Sequence, residues 1–316
     1  MYFPVANIEV NPLVPPLVAF AISFFTSMGG VSGAFLLLPF QVSVLGFTSP
    51  AVSSTNQLFN IVAIPSGVYR YIKEGRMLWP LTWIVIIGTL PGVLVGAIVR
   101  IKYLPDPKNF KLFAGLVLLY MGGRLLKDLA CKTKRDTPTT EERFQQRHKK
   151  QGRTTGSGAV SPEHSSRVTV RHWSLIRLVY EFYGETFTVN ALGLMALSLV
   201  VGMVGGVYGI GGGAIIAPFL VSFFGLPVYT VAGAALMGTF VTSVAGVVFY
   251  QILAPCYPGM VIAPDWLLGF LFGIGGFAGM YCGARLQKFV PAGFIKWILV
   301  VCLLFTAGKY IWSFLF

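Results

Sequence analysis

The chain has 316 residues, 55% of them hydrophobic and only 11% charged, where an average soluble domain carries about a quarter charged residues, and this excludes an ordinary soluble globule. Its net charge of +13 does not mark a nucleic-acid surface, because thirteen of the 24 Lys and Arg lie between Arg124 and Arg177 in one polar segment, and basic excess beside apolar blocks is what membrane orientation produces. No charge occurs between Glu9 and Arg70, between Arg76 and Arg100, or between Glu185 and Asp265, and each of these stretches can hold one or more spans of about 20 residues.

In lipid such blocks must be helices or a closed barrel. Barrel strands alternate apolar and polar residues, whereas Ile84–Ile87 and Leu116–Leu119 do not. An all-α integral membrane protein is therefore expected. The N-terminus has no basic region leading into a short apolar core, so no cleaved leader is expected and the first span serves as its own insertion signal.

In chain order, the first membrane unit (1–127) has apolar blocks at about 13–46, 50–70, 78–99 and 109–126. The opening block is too long for one ordinary span and is broken by Gly29, Gly30 and Gly33. It reads either as one span with an appended half-span or as two short arms that dip in and return. The next block carries Ser53, Asn56, Gln57 and Asn60 at i, i+3, i+4 and i+7, one face of a helix. Against lipid such groups are costly, so this stripe must face protein or a watery path.

A polar, basic linker follows (128–187). Its part 132–166 lacks large apolar residues and is expected to be poorly packed. Period-two alternation sets in at Arg167–Arg171, and Tyr180–Phe187 reads as a short β-hairpin.

The second unit (188–316) has blocks at about 188–225, 228–253, 265–284 and 293–314. Its opening block is broken by Gly209 and by Gly211, Gly212 and Gly213, and its second block carries Thr239, Thr242 and Ser243 on one face. Sliding the chain by 179 residues superposes Gly30 on Gly209, Gly33 on Gly212, Pro39 on Pro218, Gly46 on Gly225 and Asn60 on Thr239, with 12 identities in 42 ungapped pairs over 30–71. Farther on, Gly88, Gly92 and Gly96 pair with Gly275, Gly279 and Gly283. Matched glycines and prolines imply matched backbone, hence two homologous four-block helical repeats.

Charge then bears on topology. If each broken block makes an even number of crossings, Arg70–Arg76, the linker and Arg285–Lys296 share the inner side and the repeats are inverted, with Arg100–Lys111 outside. If it makes an odd number, the units are parallel and two basic loops face outside. The inverted arrangement violates the positive-inside rule less.

A glycine break inside an apolar helix leaves N–H groups unsatisfied and adds the partial positive charge of the following helix N-terminus. That makes a site for an anion without a buried cation. The competing reading is close helix packing at small residues, and for the polar stripes it is interhelical hydrogen bonding. The candidate substrate-binding residues are Gly30, Ser32, Gly33, Asn56, Gln57, Asn60, Gly211, Gly212, Gly213, Thr239, Thr242 and Ser243. No Asp, Glu, His, Lys or Arg is expected deep in any block. All three histidines fall in the linker, and the four cysteines are scattered with no C-x-x-C pair. No catalytic residue, metal ligand set or cofactor is therefore assigned, and a carboxylate proton relay has no candidate.

The run Gly30-Val-Ser-Gly33 to Pro39-Phe40, then Ser54-Thr55-Asn56, Gly67, Tyr69 and Gly75, resembles the first-half pattern of the sulfite exporter TauE/SafE family. Gly205-Gly206, Gly209 to Gly213, Pro218 and Thr242 to Gly246 resemble its second half. Ser32 and Ala34 stand where the first half of that family often has glycines. The resemblance implies a duplicated helical permease for a sulfur-containing anion such as sulfite, a sulfonate or sulfoacetate. The expected setting is a bacterial inner (plasma) membrane, and the basic linker is expected to be cytoplasmic. The expected partners are the small anion and the bilayer, with no nucleic acid and with homo-oligomerisation left open. The alternative is a non-transporting membrane scaffold or sensor that works through its basic linker. A membrane enzyme comes third, because reactive groups are missing.

Overall fold

The computed structural model describes residues 1–28, 32–73, 77–132, 169–174, 177–182, 185–226, 228–286 and 292–315. Gly29, Gly30 and most of the linker (133–168) lie outside the described residues.

A two-stranded ribbon, β1 (Tyr2–Phe3) and β2 (Ile8–Glu9), precedes α1 (Val14–Met28). Then come α2 (Ala34–Ser43), α3 (Ala51–Ala63), α4 (Pro65–Lys73), α5 (Trp79–Lys102) and α6 (Pro107–Lys132). After the linker, β3 (Thr169–Trp173), β4 (Arg177–Phe182) and β5 (Glu185–Asn190) form one antiparallel sheet in the order β3-β4-β5. The chain closes with α7 (Ala191–Tyr208), α8 (Gly212–Phe223), α9 (Val228–Leu253), α10 (Trp266–Leu286) and α11 (Ala292–Leu315).

Six stretches among the described residues are long and apolar enough to cross a bilayer: Trp79–Lys102, Pro107–Lys127, Ala191–Tyr208, Thr230–Cys256, Trp266–Gly283 and Trp297–Leu315. At 1.5 Å per residue, α2 reaches only about 15 Å, half of a hydrocarbon core of about 30 Å. The block 50–70 is two helices in place of one, because Pro65 lacks the N–H that would continue α3 and instead opens α4.

Glycines set the helix pairs. A Cβ on Gly275, Gly279 or Gly283 of α10 would overlap the carbonyls of Pro16, Phe20 and Phe24 of α1. A Cβ on Gly92 or Gly96 of α5 would overlap the carbonyls of Leu199 and Met203 of α7, and Gly202 and Gly206 press on Thr89 and Val93 in return. Both residue numbers rise together along each pair, so α1 runs parallel to α10 and α5 parallel to α7.

Other contacts set the remaining helix directions. Gly269 and Gly273 of α10 meet Leu58 and Val62, so α3 runs with α10. Gln57 meets Gly246 and Asn60 meets Ser243, so α9 opposes α3. Gly238 of α9 meets Val85, and Tyr250 clusters with Ala97 and Ile101, so α9 runs with α5. Gly115 meets Tyr310 and Gly122 meets Leu304, so α6 and α11 are antiparallel.

Helices α1, α3 and α10 therefore run one way and α5, α7 and α9 the other. Because α1 and α3 run the same way, α2 must lead the chain back: the broken block goes in and returns. Likewise α8 returns between α7 and α9. The ends of α4 (Arg70, Lys73) and α10 (Arg285), and the linker between α6 and α7, then share one side of the bundle.

Two packed groups result. One comprises α1, α2, α3, α4 and α10, the other α5, α7, α8 and α9, and they meet chiefly where α3 and α4 lie on α9. On the linker side the sheet is tied to the bundle by Tyr180, whose hydroxyl is 3.0 Å from Thr230 Oγ1. Burial pushes that phenol up to about 12, outweighing the opposite effect of the Thr230 bond, so it stays neutral. On the far side, buried Asp265 caps α10 by accepting from Leu268 N (3.0 Å) and holds the N-terminal ribbon through Ala6 N (3.3 Å).

If backbone contact at glycine is what pairs these helices, Gly92→Val and Gly279→Val should each abolish a monodisperse peak in detergent. Gly123→Val, where a Cβ meets nothing within 4 Å, should leave the peak and its thermal midpoint unchanged. Fluorescence-detected size exclusion after heating reads all three.

Candidate functional site

The two glycine breaks meet through one side chain. Asn60 Oδ1 accepts from Ser32 Oγ in the first break (2.7 Å). Asn60 Nδ2 donates to the Ile210 carbonyl in the second (3.1 Å) and to Ser243 Oγ (3.4 Å). Ser32, Asn60 and Ser243 are all fully buried.

The second break needs glycine for two reasons. Gly209 caps α7 in the left-handed region (φ 80, ψ 24), and Gly211 has φ 69, ψ 156, a region open to glycine almost alone. In addition, a Cβ on Gly211 would lie 3.0 Å from Ser243 Oγ and 3.0 Å from Thr242 Oγ1, and a Cβ on Gly213 would overlap Ala235 O. Gly212 N–H donates to Thr242 Oγ1 (3.3 Å), which in turn donates to Gly238 O (2.7 Å). Thr239 Oγ1 bonds back to Ala235 O of its own helix (2.8 Å). The hydroxyls of α9 thus line the break, and two of them already serve backbone groups.

In the first break, Gly33 sits against α1, where a Cβ would lie 2.9 Å from Ser23 Oγ and 3.3 Å from Thr26 Oγ1. Ser23 and Thr26 are buried polar groups at this break that were absent from the sequence-derived set. Their i, i+3 spacing in an apolar helix was the available signal. Asn56 faces elsewhere: it donates to Ala34 O (3.0 Å) and accepts from Gln41 Nε2 (3.3 Å), holding α2 on α3. Gln57 is buried against Gly246, and neither its Nε2 nor its Oε1 has a hydrogen-bond partner.

The expectation that no charged group lies deep in the blocks fails at Arg100. Helix α5 continues to Lys102, and the Arg100 side chain is fully buried. Its Nε donates to Ser53 Oγ (3.3 Å), its Nη1 to the Leu104 carbonyl, and its guanidinium lies 3.8 Å from the Phe110 ring centre. Ser53 Oγ donates in turn to Val207 O (2.9 Å), two residues before Gly209. Sequence position at the end of an apolar block made Arg100 look like a loop residue. Its place in the series Gly88, Gly92, Gly96, Arg100 puts it on the glycine face of α5, and that was readable.

Apolar spans folded around a buried, largely uncharged polar junction of broken helices make this a polytopic helical membrane protein of transporter architecture. The sulfite exporter TauE/SafE family matches the chain over residues 16–310. The chain belongs to that family of integral membrane transporters. No curated protein and no solved structure matches it.

Replacing Gly211 by Ala should cost about 1–3 kcal/mol, since a non-glycine residue must be forced into that backbone region. Gly46→Ala, also at positive φ (73) but with nothing within 4 Å, should cost about 1–2 kcal/mol of conformational strain alone. A thermal-shift series in which Gly211→Ala is the milder variant would contradict the crowding at the second break.

Proposed function

We propose that this protein is a secondary permease for a small sulfur-containing oxyanion, of the sulfite, sulfonate or sulfoacetate class, and that the anion binds where the two breaks meet beside Asn60. The observation that carries this reading is the buried amide of Gln57, which has no partner one helical turn from Asn60. A buried amide normally has partners, and leaving one unpaired is costly. An anion beside it would take the Nε2 donors, across from the bare backbone of Gly246.

In this reading the two halves are inverted repeats. Supporting it, α1 matches α7, α3 matches α9, α5 matches α10 and α6 matches α11, each pair running in opposite senses. The arms also close alike: Phe47 N donates to Gln41 O and Leu226 N to Leu220 O, bonds offset by the same 179 residues, beside Gly46 (φ 73) and Gly225 (φ 64). The two packed groups meet along α3 and α9, and relative tilting across that seam would expose Asn60 to one side and then the other. Backbone-to-backbone packing of α1 on α10 and α5 on α7 would keep each group rigid.

The basic ends of α4 and α10 share the linker's side, and the positive-inside rule supports a cytoplasmic location for that side of a plasma-membrane protein. In right-side-out cells, a membrane-impermeant maleimide should label the exposed native Cys256 and spare a cysteine placed at exposed Lys73 until the membrane is permeabilised. The reverse pattern would overturn this orientation.

Proteoliposome flux of labelled sulfite, sulfate and sulfoacetate tests the substrate class directly. For the site, Gln57→Leu is the sharper variant. It removes a hydrogen bond of about 1.5–3 kcal/mol to a charged partner, so the apparent affinity should fall roughly 10- to 150-fold. Because the amide has no intramolecular partner, the thermal midpoint should hold or rise. An unchanged affinity in well-folded Gln57→Leu would remove the anion from this position.

A further inference from the structure

The geometry points to Arg100 as a second anion-binding station, on the side of the bundle away from the basic loops, where the incoming or departing oxyanion supplies the guanidinium's missing counter-charge. The inference rests on the anion-permease reading above.

Three observations carry it. First, Arg100 is fully buried, yet among the described residues no carboxylate pairs with it. A charge taken out of water without a partner is strongly unfavourable, so a permanently unpaired cation here is a poor structural choice. Second, its donors are only partly used. Nε serves Ser53 Oγ and Nη1 serves Leu104 O, while Nη2 is buried with no partner. Two N–H groups thus remain on one nitrogen, held in place by the other contacts and by the face of Phe110. That fits one or two oxygens of a compact oxyanion.

Third, the position lies on the route. Ser53 links Arg100 to Val207 O, and the Gly209 break presses on the Ser53 backbone. Gln57 follows Ser53 by one turn of α3 and Asn60 follows by two, about 10 Å away at 1.5 Å per residue. On α9, Tyr250 stands one turn beyond Gly246, the residue that Gln57 contacts, and Tyr250 packs with Ala97 and Ile101 on either side of Arg100 in α5. The unpartnered Nη2 and the unpartnered Gln57 amide therefore succeed each other along one seam. An anion would exchange water for the Arg100 fork before passing to the neutral donors at the breaks.

The test uses the full-length protein in proteoliposomes, with sulfite as the probe, reading the KM against the maximal rate together with the sulfite-induced thermal shift. Wild-type flux must be seen first, and its absence would sink the permease reading and this inference with it. Given flux, Arg100→Gln should raise the KM roughly 10- to 150-fold, the loss of charged hydrogen bonds, and should abolish the sulfite-induced shift. Lys102→Gln, which removes an exposed charge two residues away, should leave the KM unchanged.

A merely structural Arg100 would instead lower the midpoint and the maximal rate at an unaltered KM, and that outcome overturns the proposal while leaving the permease reading intact. If Arg100→Gln is not recovered folded, Arg100→Lys carries the test. It keeps the charge but not the fork, and a KM within twofold of wild type would overturn the proposal.

Discussion

The structure depends on helices close enough for backbone to touch backbone. Between apolar helices in a bilayer there is no hydrophobic driving force, since lipid tails are as apolar as leucine, and association rests on dispersion and on enclosed polar groups. Dispersion falls off steeply with distance, so a ridge without side chains gains the most. Gly88, Gly92 and Gly96 form such a ridge on α5, and Gly275, Gly279 and Gly283 form another on α10. Each ridge binds the opening helix of the opposite half of the chain. The halves are consequently interlocked, and neither packs around a core of its own.

That interlocking makes the polar junction affordable in lipid. Unpaired backbone groups at a helix break cannot face hydrocarbon. Here α7 ends against α5 and α3, while Ser32 of the first break bonds to α3 and Gly33 sits against α1, so these described parts of the breaks are enclosed by helices that the glycine ridges position. Ser32, Asn60, Thr239, Thr242 and Ser243 are then fully buried inside protein, where a hydrogen bond is stronger than in water and a missing one is costly. Asn60 meets that demand for both breaks at once. Its three contacts make it structural as well as a candidate ligand, whereas Gln57, which bonds to nothing, has no comparable structural role.

Much of this was legible in the sequence because glycine and proline report on backbone. The 179-residue offset aligned Gly46 with Gly225, and both adopt positive φ at the ends of their arms. The stripe at Ser53, Asn56, Gln57 and Asn60 was readable from spacing alone, since an i, i+4 series fixes one helix face. What spacing could not say is where each member of a face points. Asn56 turns to α2 while Gln57 turns to α9, because their directions differ by about 100° around the helix axis. Helix direction was equally hidden. Charge left two topologies open, and only side-to-side contacts, such as Gly279 against Phe20, separate a returning arm from a through-going span. The burial of Arg100 is hidden in the sequence because charge commonly marks the ends of apolar blocks, whereas a long, amphipathic side chain can fold back into a bundle and be enclosed there.

The two halves share a pattern of glycines and prolines but not a chemistry. Where the first half has Ser32, Ala34, Asn56 and Gln57, the second has Gly211, Gly213, Ala235 and Leu236. Of the α3 amides, Gln57 and Asn60 face small residues on α9 and the second break. Gln57 lies against Gly246, where any Cβ would overlap its amide, and Asn60 reaches across to Ile210 and Ser243. A symmetric pair of amide stripes would collide at this seam, and a symmetric pair of glycine-lined ones would leave a void without donors. The asymmetry avoids both outcomes: one half supplies hydrogen-bond donors, and the other supplies room and a bare backbone. Arg100 extends the asymmetry, standing on α5 beside Ser53 while its neighbour across the seam is Tyr250. In the proposed reading, a seam of one donor-rich face and one small-residue face has most of its side-chain donors aimed from a single side, so an anion there would contact α3 and α5 through side chains and α9 through hydroxyls close to its own backbone.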